Sequence, residues 1–324
     1  MALGLPLHGG DLKAAEDRWG RPADGWLDLS TGINPWSYPL PHFPAEAWTR
    51  LPGHAEEEAV LAAAGHAYGV GIDRIVAGPG SSALIQALAY SQARSRVEIV
   101  SPTYCEHARA WRAAGHDVSE VADCPRGGDV VVVVNPNNPD GRFFPPGQLT
   151  DLAERCRLLV VDEAFADVHP DLSVADKAGG RLVVLRSFGK FYGLAGVRLG
   201  FALADPDLAG ALRDRLGPWA VSGPALAVAA KALADDDWGK ATRAHLQNMA
   251  DRLDRVLEQG GLQVMGGTSL FRLGRHPEAA TVYDRLGRHG ILVRAFATHP
   301  DRLRFGLPAS EKGLERLASA LAGA

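Results

Sequence analysis

Four short runs of apolar, mostly β-branched residues constrain the fold of this chain more than any other feature. They are Val97–Val100, Val130–Val134, Leu158–Val161 and Leu182–Leu185, and segments with helical spacing separate most of them. Strands that are apolar at every residue require helices on both faces of their sheet, and strands joined through helices run mostly parallel. The pattern therefore predicts an α/β fold whose central, mostly parallel sheet is covered by helices.

The segment before these strands carries helix and turn signals. Residues Ala55–Tyr68 have the pattern of a helix that Gly69 closes, Arg74–Ala77 suits a short strand, and Ser81–Tyr90 continues at helical spacing. Because polar turns follow the predicted strands, we expect the chemistry at the carboxyl edge of the sheet.

The two ends of the chain differ from this middle part. From Pro224 onward, long helical patterns are broken by glycine pairs, and weaker strand patterns lie near Ser269–Arg272, Ile291–Arg294 and Leu303–Phe305. The opening residues, through the proline-rich WSYPLPHFP, predict an extended arm and loop. We expect an arm at residues 1–45, a large domain at 46–222, and a small α+β domain at 223–324 that shares its core with the arm.

Composition limits the possible partners and location. The net charge is −4 with acids and bases interspersed, so we expect neither a nucleic acid nor a membrane partner. No signal peptide or apolar run long enough to span a bilayer is evident, which predicts a cytoplasmic protein. The three cysteines, Cys105, Cys124 and Cys156, suit reduced structural thiols. The 11 histidines lack metal-ligand spacing, so no metal is expected.

The most specific stretch is Ser187–Gly200. It places Lys190 after a predicted strand in a glycine-rich turn, with Ser187 three residues before it and Arg198 eight residues after it. A lone lysine is usually a solvated surface residue. Here one segment offers an amine that can capture an aldehyde, together with a hydroxyl and a guanidinium suited to a dianionic phosphate.

This segment resembles the S-x-x-K…R signature of the fold-type I, class I/II aminotransferases and their decarboxylase relatives. Members of this family use pyridoxal 5'-phosphate (PLP). The resemblance implies that Lys190 holds PLP as a Schiff base and that Ser187 and Arg198 bind the cofactor phosphate. It also implies the family's fold, a large domain with a mostly parallel sheet and a smaller domain with the N-terminal arm.

Two further motifs follow in the order that this family requires. Asn135–Gly141 resembles the NPNNPTG turn, which implies that Asn138 hydrogen-bonds the phenolic oxygen of PLP. Leu159–Phe165 resembles the strand end VDEAY, which implies that Asp162 pairs with the pyridine nitrogen. A carboxylate at that position favours the protonated ring, which makes PLP an electron sink. A structural alternative for Asp162 is a helix N-cap.

The remaining cofactor residues are also implied by the resemblance. Gly80, Ser81 and Ser82 open a helix after a strand, where the family docks the cofactor phosphate at the helix N-terminus. Tyr104 matches the aromatic residue that stacks on the pyridine ring. Near the C-terminus, Arg304 matches the arginine that binds the substrate α-carboxylate.

Three positions depart from the family pattern. Phe165 stands where many relatives have a tyrosine whose hydroxyl reaches the cofactor, so Asn138 is left as the main partner of the phenolic oxygen. Leu51–Gly53 stands where relatives have a tyrosine that reaches the phosphate across a dimer interface. We still expect a homodimer. Asp140 replaces the usual threonine and is acceptable in a turn.

The N-terminal arm narrows the choice within the family. His8–Asp11 and Leu27–Pro35 resemble the HGGN…DFSxNINP arm of the threonine-phosphate decarboxylases of cobalamin biosynthesis. This resemblance implies an amino acid phosphate substrate, L-threonine O-3-phosphate, that loses its carboxylate and becomes (R)-1-aminopropan-2-ol O-2-phosphate. Lys190 is then the proton donor to the α-carbon.

The substrate phosphate requires its own binding residues. Arg294 matches a family arginine near the substrate and suits the phosphate, although a surface ion pair accounts for it equally well. His8, Gly32 and Asn34 belong to the arm motif and are expected to close the pocket.

Three alternatives remain open. Histidinol-phosphate aminotransferases share most of the same motifs. Gly78–Ala83 satisfies the dinucleotide fingerprint G-x-G-x-x-A, and Glu98 lies near the distance of a ribose-binding acid, so a dinucleotide-dependent oxidoreductase is a formal rival that leaves Lys190, Asp162 and Asn138 unexplained. A non-catalytic PLP-binding regulator or scaffold with the same fold is the third alternative.

Overall fold

The computed structural model describes residues 8–123, 125 and 127–323. Within them, the strands in chain order are β1 (Leu27–Leu29), β2 (Ile75–Gly78), β3 (Arg96–Val100), β4 (Asp117–Val121), β5 (Val130–Val134), β6 (Leu158–Asp162), β7 (Leu182–Ser187), β8 (Gly200–Leu203), β9 (Gln263–Thr268), β10 (Phe271–Arg275), β11 (Ile291–Phe296) and β12 (His299–Gly306).

The α-helices of the described residues are α1 (Leu12–Trp19), α2 (Glu46–Thr49), α3 (His54–Tyr68), α4 (Ser81–Ser91), α5 (Glu106–Ala113), α6 (Pro146–Arg155), α7 (Phe188–Phe191), α8 (Pro206–Leu216), α9 (Gly223–Leu233), α10 (Asp236–Gln259), α11 (Ala279–Arg288) and α12 (Glu311–Ala322). None of these helices is both long and apolar enough to cross a membrane.

A seven-stranded sheet forms the core of the larger part of the chain, in the order β2-β8-β7-β6-β5-β3-β4. Strand β8 runs antiparallel to both of its neighbours, β2 and β7, and the other neighbouring pairs of this sheet are parallel. Every residue of β5, β6 and β7 is buried, as expected for central strands that helices cover on both faces. The predicted α/β fold with a mostly parallel central sheet is confirmed.

A second, five-stranded sheet has the order β1-β11-β12-β10-β9. Strand β1 pairs in parallel with β11, and the other pairs are antiparallel. The N-terminal segment therefore contributes a strand to the sheet that the C-terminal residues build.

The chain forms two compact units. Unit 1 contains the described residues up to Trp36, the turn Pro139–Gly141 and the residues from Lys240 onward; unit 2 contains Ser37–Asn138 and Arg142–Gly239. These limits differ from the predicted bounds 1–45, 46–222 and 223–324. Helix α9 belongs with unit 2 because it packs against α3, and α2 packs against α9.

The N-terminal arm was predicted to be extended, which is wrong for part of its length. Helix α1 begins after Asp11, whose carboxylate accepts a hydrogen bond of 3.0 Å from the Ala14 amide. This side-chain cap satisfies a backbone donor that the first helical turn leaves open. Elsewhere in the chain, Cys105 and Cys156 are thiols, and Cys124 lies outside the described residues.

Candidate active site

The candidate site of unit 2 lies where three neighbouring strands end. Asp162 is the last residue of β6, and its backbone is in register with Val134 of β5 and Leu185 of β7. Ser187 ends β7, and Lys190 follows in the short helix α7. Because these strands are parallel, their carboxyl ends share one edge of the sheet, which is where the sequence predicted the chemistry.

Asp162 is almost fully buried, with a relative exposure of 2%. One of its carboxylate oxygens lies 2.8 Å from His107 Nε2, and the other accepts a 3.0 Å hydrogen bond from the Ala164 amide. A buried carboxylate is costly unless hydrogen bonds satisfy it, and His107 is itself fully buried. The pair therefore holds the Asp162 carboxylate in a fixed orientation.

Sequence reasoning missed His107. It lies on the first turn of α5, three residues after Tyr104, and it belongs to none of the motifs that identified the other residues. Its Nδ1 atom is buried and has no hydrogen-bond partner among the described residues. A buried histidine without a local motif gives no signal, because its partner is 55 residues away in the chain.

Tyr104 connects this pair to helix α4. Its hydroxyl lies 3.5 Å from Ser82 Oγ, and its ring meets the His107 ring edge-on at a centroid distance of 6.2 Å. Burial raises the pKa of the Tyr104 hydroxyl above its ordinary value, so the side chain is neutral at physiological pH. The structure thus brings Ser82, Tyr104 and Asp162 into one connected group.

A cradle for an anion lies at the start of α4. Gly80 precedes this helix with φ of +86°, and a Cβ there would lie 2.7 Å from an Arg198 guanidinium nitrogen. A Cβ at Gly200 would lie 2.5 Å from the Ser81 amide nitrogen, and Gly200 is the register partner of Ser187. A helix N-terminus, a guanidinium and a hydroxyl-bearing residue therefore converge, as a phosphate dianion requires.

Lys190 is half-buried next to aromatic side chains. Its Nζ atom lies 5.8 Å from the ring centroid of the buried Phe165. Two residues after Lys190, the Tyr192 ring stacks on the ring of Phe188, with 4.5 Å between the ring centroids, and on the ring of Trp238, with 5.5 Å between them. This packing restricts the backbone that carries Lys190.

Two of the three asparagines in the turn after β5 have structural roles. The Asn135 side chain accepts from the Phe144 amide at 2.8 Å and donates to its carbonyl at 3.2 Å. The Asn137 side chain accepts a 2.6 Å hydrogen bond from Thr103 Oγ1. Asn138, the residue predicted to bind the cofactor, is half-buried, whereas the other two are buried.

The predicted substrate arginines belong to unit 1. Arg294 and Arg304 are register partners on β11 and β12, and Arg304 donates a 2.9 Å hydrogen bond to the Ser30 carbonyl. Burial, with a smaller contribution from the Arg294 charge, lowers the pKa of Arg304 to about 10. Two neighbouring cations, one of them desolvated, favour an anionic ligand with more than one charge.

The other predicted substrate residues also lie in unit 1. His8 is exposed, and it lines a small cavity together with Ser30 and Arg294. Gly32 and Asn34 are buried, and Asn34 Oδ1 accepts a 2.9 Å hydrogen bond from the Trp36 amide. The observed bond therefore gives the Asn34 carbonyl oxygen a turn-stabilising role.

The residues present in unit 2 fit PLP. The cradle at Gly80 leaves no room for a side chain yet presents an amide and a guanidinium, which suits the cofactor phosphate. The buried Asp162 carboxylate suits a protonated pyridine nitrogen, and the Lys190 amine lies in the turn after the next strand.

Comparisons with known proteins agree with this geometry. The family model of aminotransferase class I and II matches residues 52–321. A threonine-phosphate decarboxylase of Pseudomonas aeruginosa is 46% identical, covering 98% of this chain and 97% of that protein. A histidinol-phosphate aminotransferase of Nitrosospira multiformis is 32% identical, covering 80% of this chain and 74% of that protein.

A solved structure shows the same fold. It is a histidinol-phosphate aminotransferase of Sinorhizobium meliloti in complex with pyridoxal-5'-phosphate, with a TM-score of 0.82. That protein is 22% identical, and the match covers 100% of this chain and 97% of that chain. The family model, the full-length relatives and the fold lead to one conclusion: this chain belongs to the class I and II aminotransferase family.

Proposed function

We propose that this chain is a PLP-dependent lyase that decarboxylates L-threonine O-3-phosphate to (R)-1-aminopropan-2-ol O-2-phosphate. The observation that carries the proposal is the 46% identity over almost the full length to a threonine-phosphate decarboxylase. That identity includes the N-terminal segment, which lies outside the residues that the family model matches. The arm motif in this segment supports a place in cobalamin biosynthesis.

Unit 2 supplies the residues that would hold PLP. Lys190 would bind it covalently, and Asp162, oriented by His107, would face the pyridine nitrogen. Gly80, Ser81, Ser82, Ser187 and Arg198 would hold its phosphate, Asn138 its phenolic oxygen, and Tyr104 the face of its ring. When bound, PLP accepts the electron pair that a broken bond at the substrate α-carbon leaves behind.

Lys190 would transfer the proton to the substrate α-carbon. With cofactor and substrate in place, the Lys190 amine would take up the proton that the substrate ammonium group gives up, and would deliver it to the α-carbon after carbon dioxide has left. The neighbouring Phe165 is buried and presents an apolar ring without a hydroxyl to Lys190.

Unit 1 supplies the residues proposed for the substrate. Arg304 would bind the α-carboxylate and Arg294 the phosphate, and the pair suits a ligand with several negative charges. His8 would close the pocket beside Arg294, with which it lines a cavity. Gly32 and Asn34 would shape the backbone of that closure.

We also propose a cytoplasmic homodimer. Trp48, Leu51 and Trp219 are 69%, 66% and 54% exposed, more than usual for large apolar side chains. A Cβ at Gly223 would lie 2.8 Å from the Ala47 carbonyl, so α2, which contains Trp48, packs on the start of α9. The thiols Cys105 and Cys156 support a reducing compartment.

Transamination of histidinol phosphate is the second candidate, because a 32% identical relative carries that name. The test is to give the PLP-loaded protein each substrate with and without 2-oxoglutarate. We expect an amine product from L-threonine O-3-phosphate without any 2-oxo acid. A strict need for 2-oxoglutarate, with glutamate formed, would refute the decarboxylase proposal.

The cofactor assignment has its own test. We expect a yellow protein that borohydride bleaches, with the cofactor mass fixed on the peptide that contains Lys190. A colourless protein that binds NAD would refute PLP dependence and favour the dinucleotide alternative instead.

A further inference from the structure

The turn that follows Asn138 belongs to a different unit from the residues on either side of it. The chain leaves unit 2 after Asn138 and returns at Arg142, and Pro139–Gly141 belong to unit 1. At the two ends of this turn, the Asn137 amide donates a 2.8 Å hydrogen bond to the Arg142 carbonyl. The base of the turn is therefore closed by backbone, and its tip is held by different contacts.

Those contacts are to a glycine pair in β9. Gly266 and Gly267 have φ of +150° and +145°, a conformation that residues with a side chain rarely adopt. A Cβ at Gly266 would collide with the Asp140 carbonyl oxygen, and a Cβ at Gly141 would collide with the Gly267 carbonyl oxygen. The two backbones interlock so closely that neither side has room for a methyl group.

We propose that this backbone interlock positions Asn138, and that Gly141 and Gly266 are positioning residues for the cofactor site. Asn138 immediately precedes the interlocked tip, and the next residue before it, Asn137, is fixed by its own hydrogen bonds. Any displacement of the tip therefore moves the Asn138 backbone, whereas Asn137 stays in place. The inference rests on the proposed function, in which the Asn138 amide donates to the phenolic oxygen of PLP.

The test uses Gly141→Ala and Gly266→Ala, which disturb the interlock from its two sides. Gly147→Ala is the matched control, because a Cβ at Gly147 meets no atom within 4 Å. A donor to the phenolic oxygen stabilises its ionised form, so its loss raises the pH at which the absorbance of bound PLP changes. We expect an upward shift of about one pH unit in both interlock variants and none in the control.

A double-mutant comparison separates positioning from general disturbance. Asn138→Ala alone should shift the titration upward by the same amount, and adding Gly141→Ala should shift it no further. A wild-type titration for Gly141→Ala, or a shift that adds to that of Asn138→Ala, would overturn the inference.

Failure of the variants to fold, or absence of the cofactor signal, would also decide whether the inference holds. If both interlock variants fail to fold while Gly147→Ala folds, the glycines serve the fold of unit 1 and the positioning role is wrong. If the wild-type protein binds no PLP, the proposed function is refuted and the inference with it; if it binds PLP whose absorbance does not change with pH, only the inference is overturned. Unfolding of the cofactor-free variants, followed by circular dichroism, distinguishes these cases.

Discussion

At the scale of single residues, buried charge determines what the candidate site does. Asp162 is surrounded by protein, and its two carboxyl oxygens contact His107 and the Ala164 amide. Arg304 is also buried, and burial lowers the pKa of its guanidinium because the folded protein disfavours its charge. Both residues are arranged for a partner of opposite charge, a protonated ring nitrogen for the first and an anion for the second.

Removal of the His107 side chain should weaken cofactor binding. His107→Leu leaves one Asp162 oxygen without its partner, and we expect the Kd for PLP to rise about tenfold or more. His116→Leu is the control, because His116 is also buried and bonds the Ala89 carbonyl at 2.8 Å. Both variants should lose about 1–3 kcal/mol of unfolding free energy, but only His107→Leu should change the PLP titration.

The buried Arg304 charge should lower the stability of the ligand-free protein while it strengthens substrate binding. Burial lowers the pKa of Arg304 to about 10, which corresponds to a cost on the order of 3 kcal/mol for the charged form. We therefore expect Arg304→Met to unfold at the same or a higher temperature than the ligand-free wild type, while KM rises at least about tenfold. A lower KM in this variant would contradict the carboxylate-binding role.

The pH dependence of this difference has a defined sign. Below about pH 10 both the folded and the unfolded wild type hold the Arg304 proton, so the penalty is constant. Above about pH 10 the folded chain releases this proton before the unfolded chain does, so wild-type stability rises with pH relative to Arg304→Met. Paired denaturant titrations across this window measure the change.

At the scale of elements, a buried ion cluster ties the ends of β6 and β7 together. Arg186, which precedes Ser187, donates to Glu163 at 2.6 Å and forms an ion pair with Asp167. Glu163 follows Asp162 and also accepts a 2.7 Å hydrogen bond from the Val174 amide. The residues next to the two candidate catalytic strand ends are thus cross-linked inside the core.

Removing both partners of this cluster should cost less than the two single losses added together. Arg186→Met leaves Glu163 buried without a counter-charge, and we expect a loss of about 3–5 kcal/mol in unfolding free energy. Arg186→Met/Glu163→Leu should lose less than the two single variants together, because no buried charge is left at Glu163. Additive losses in urea titrations would show that the pair acts independently.

The elements also show the limits of sequence analysis. Strand β5 was predicted with its observed bounds because five consecutive valines have no alternative in a soluble core. Strand β4 was missed because its Asp117–Val121 sequence is polar and half exposed at the sheet edge. His107 was missed for another reason: its contact with Asp162 exists only once α5 packs on the sheet.

At the scale of the whole molecule, the order of motifs along the chain predicted the fold, but it did not predict how the segments group into units. The turn Pro139–Gly141 belongs to unit 1 although both its neighbours belong to unit 2. The spacing of motifs along the chain does not indicate that this turn groups with a different unit from its neighbours. This grouping depends on backbone contacts with glycines more than 120 residues away, at Gly266 and Gly267.

The exposed apolar side chains bear on how many copies of the chain assemble. We expect a homodimer of about twice the 34.4 kDa chain mass in sedimentation velocity. Replacing Trp48 and Trp219 by serine should shift the protein toward monomer, while Trp26→Phe, a change at a partly buried tryptophan of unit 1, should not. A wild-type monomer at micromolar concentration would refute the dimer.

The central claim is that the Lys190 site breaks the bond to the substrate carboxylate. The direct measurement is release of labelled carbon dioxide from carboxyl-labelled L-threonine O-3-phosphate by the PLP-loaded protein without a 2-oxo acid. We predict one carbon dioxide per amine formed, and a loss of turnover by several orders of magnitude in Lys190→Ala. Retention of the label in a product formed only with 2-oxoglutarate, or normal turnover in Lys190→Ala, would contradict it.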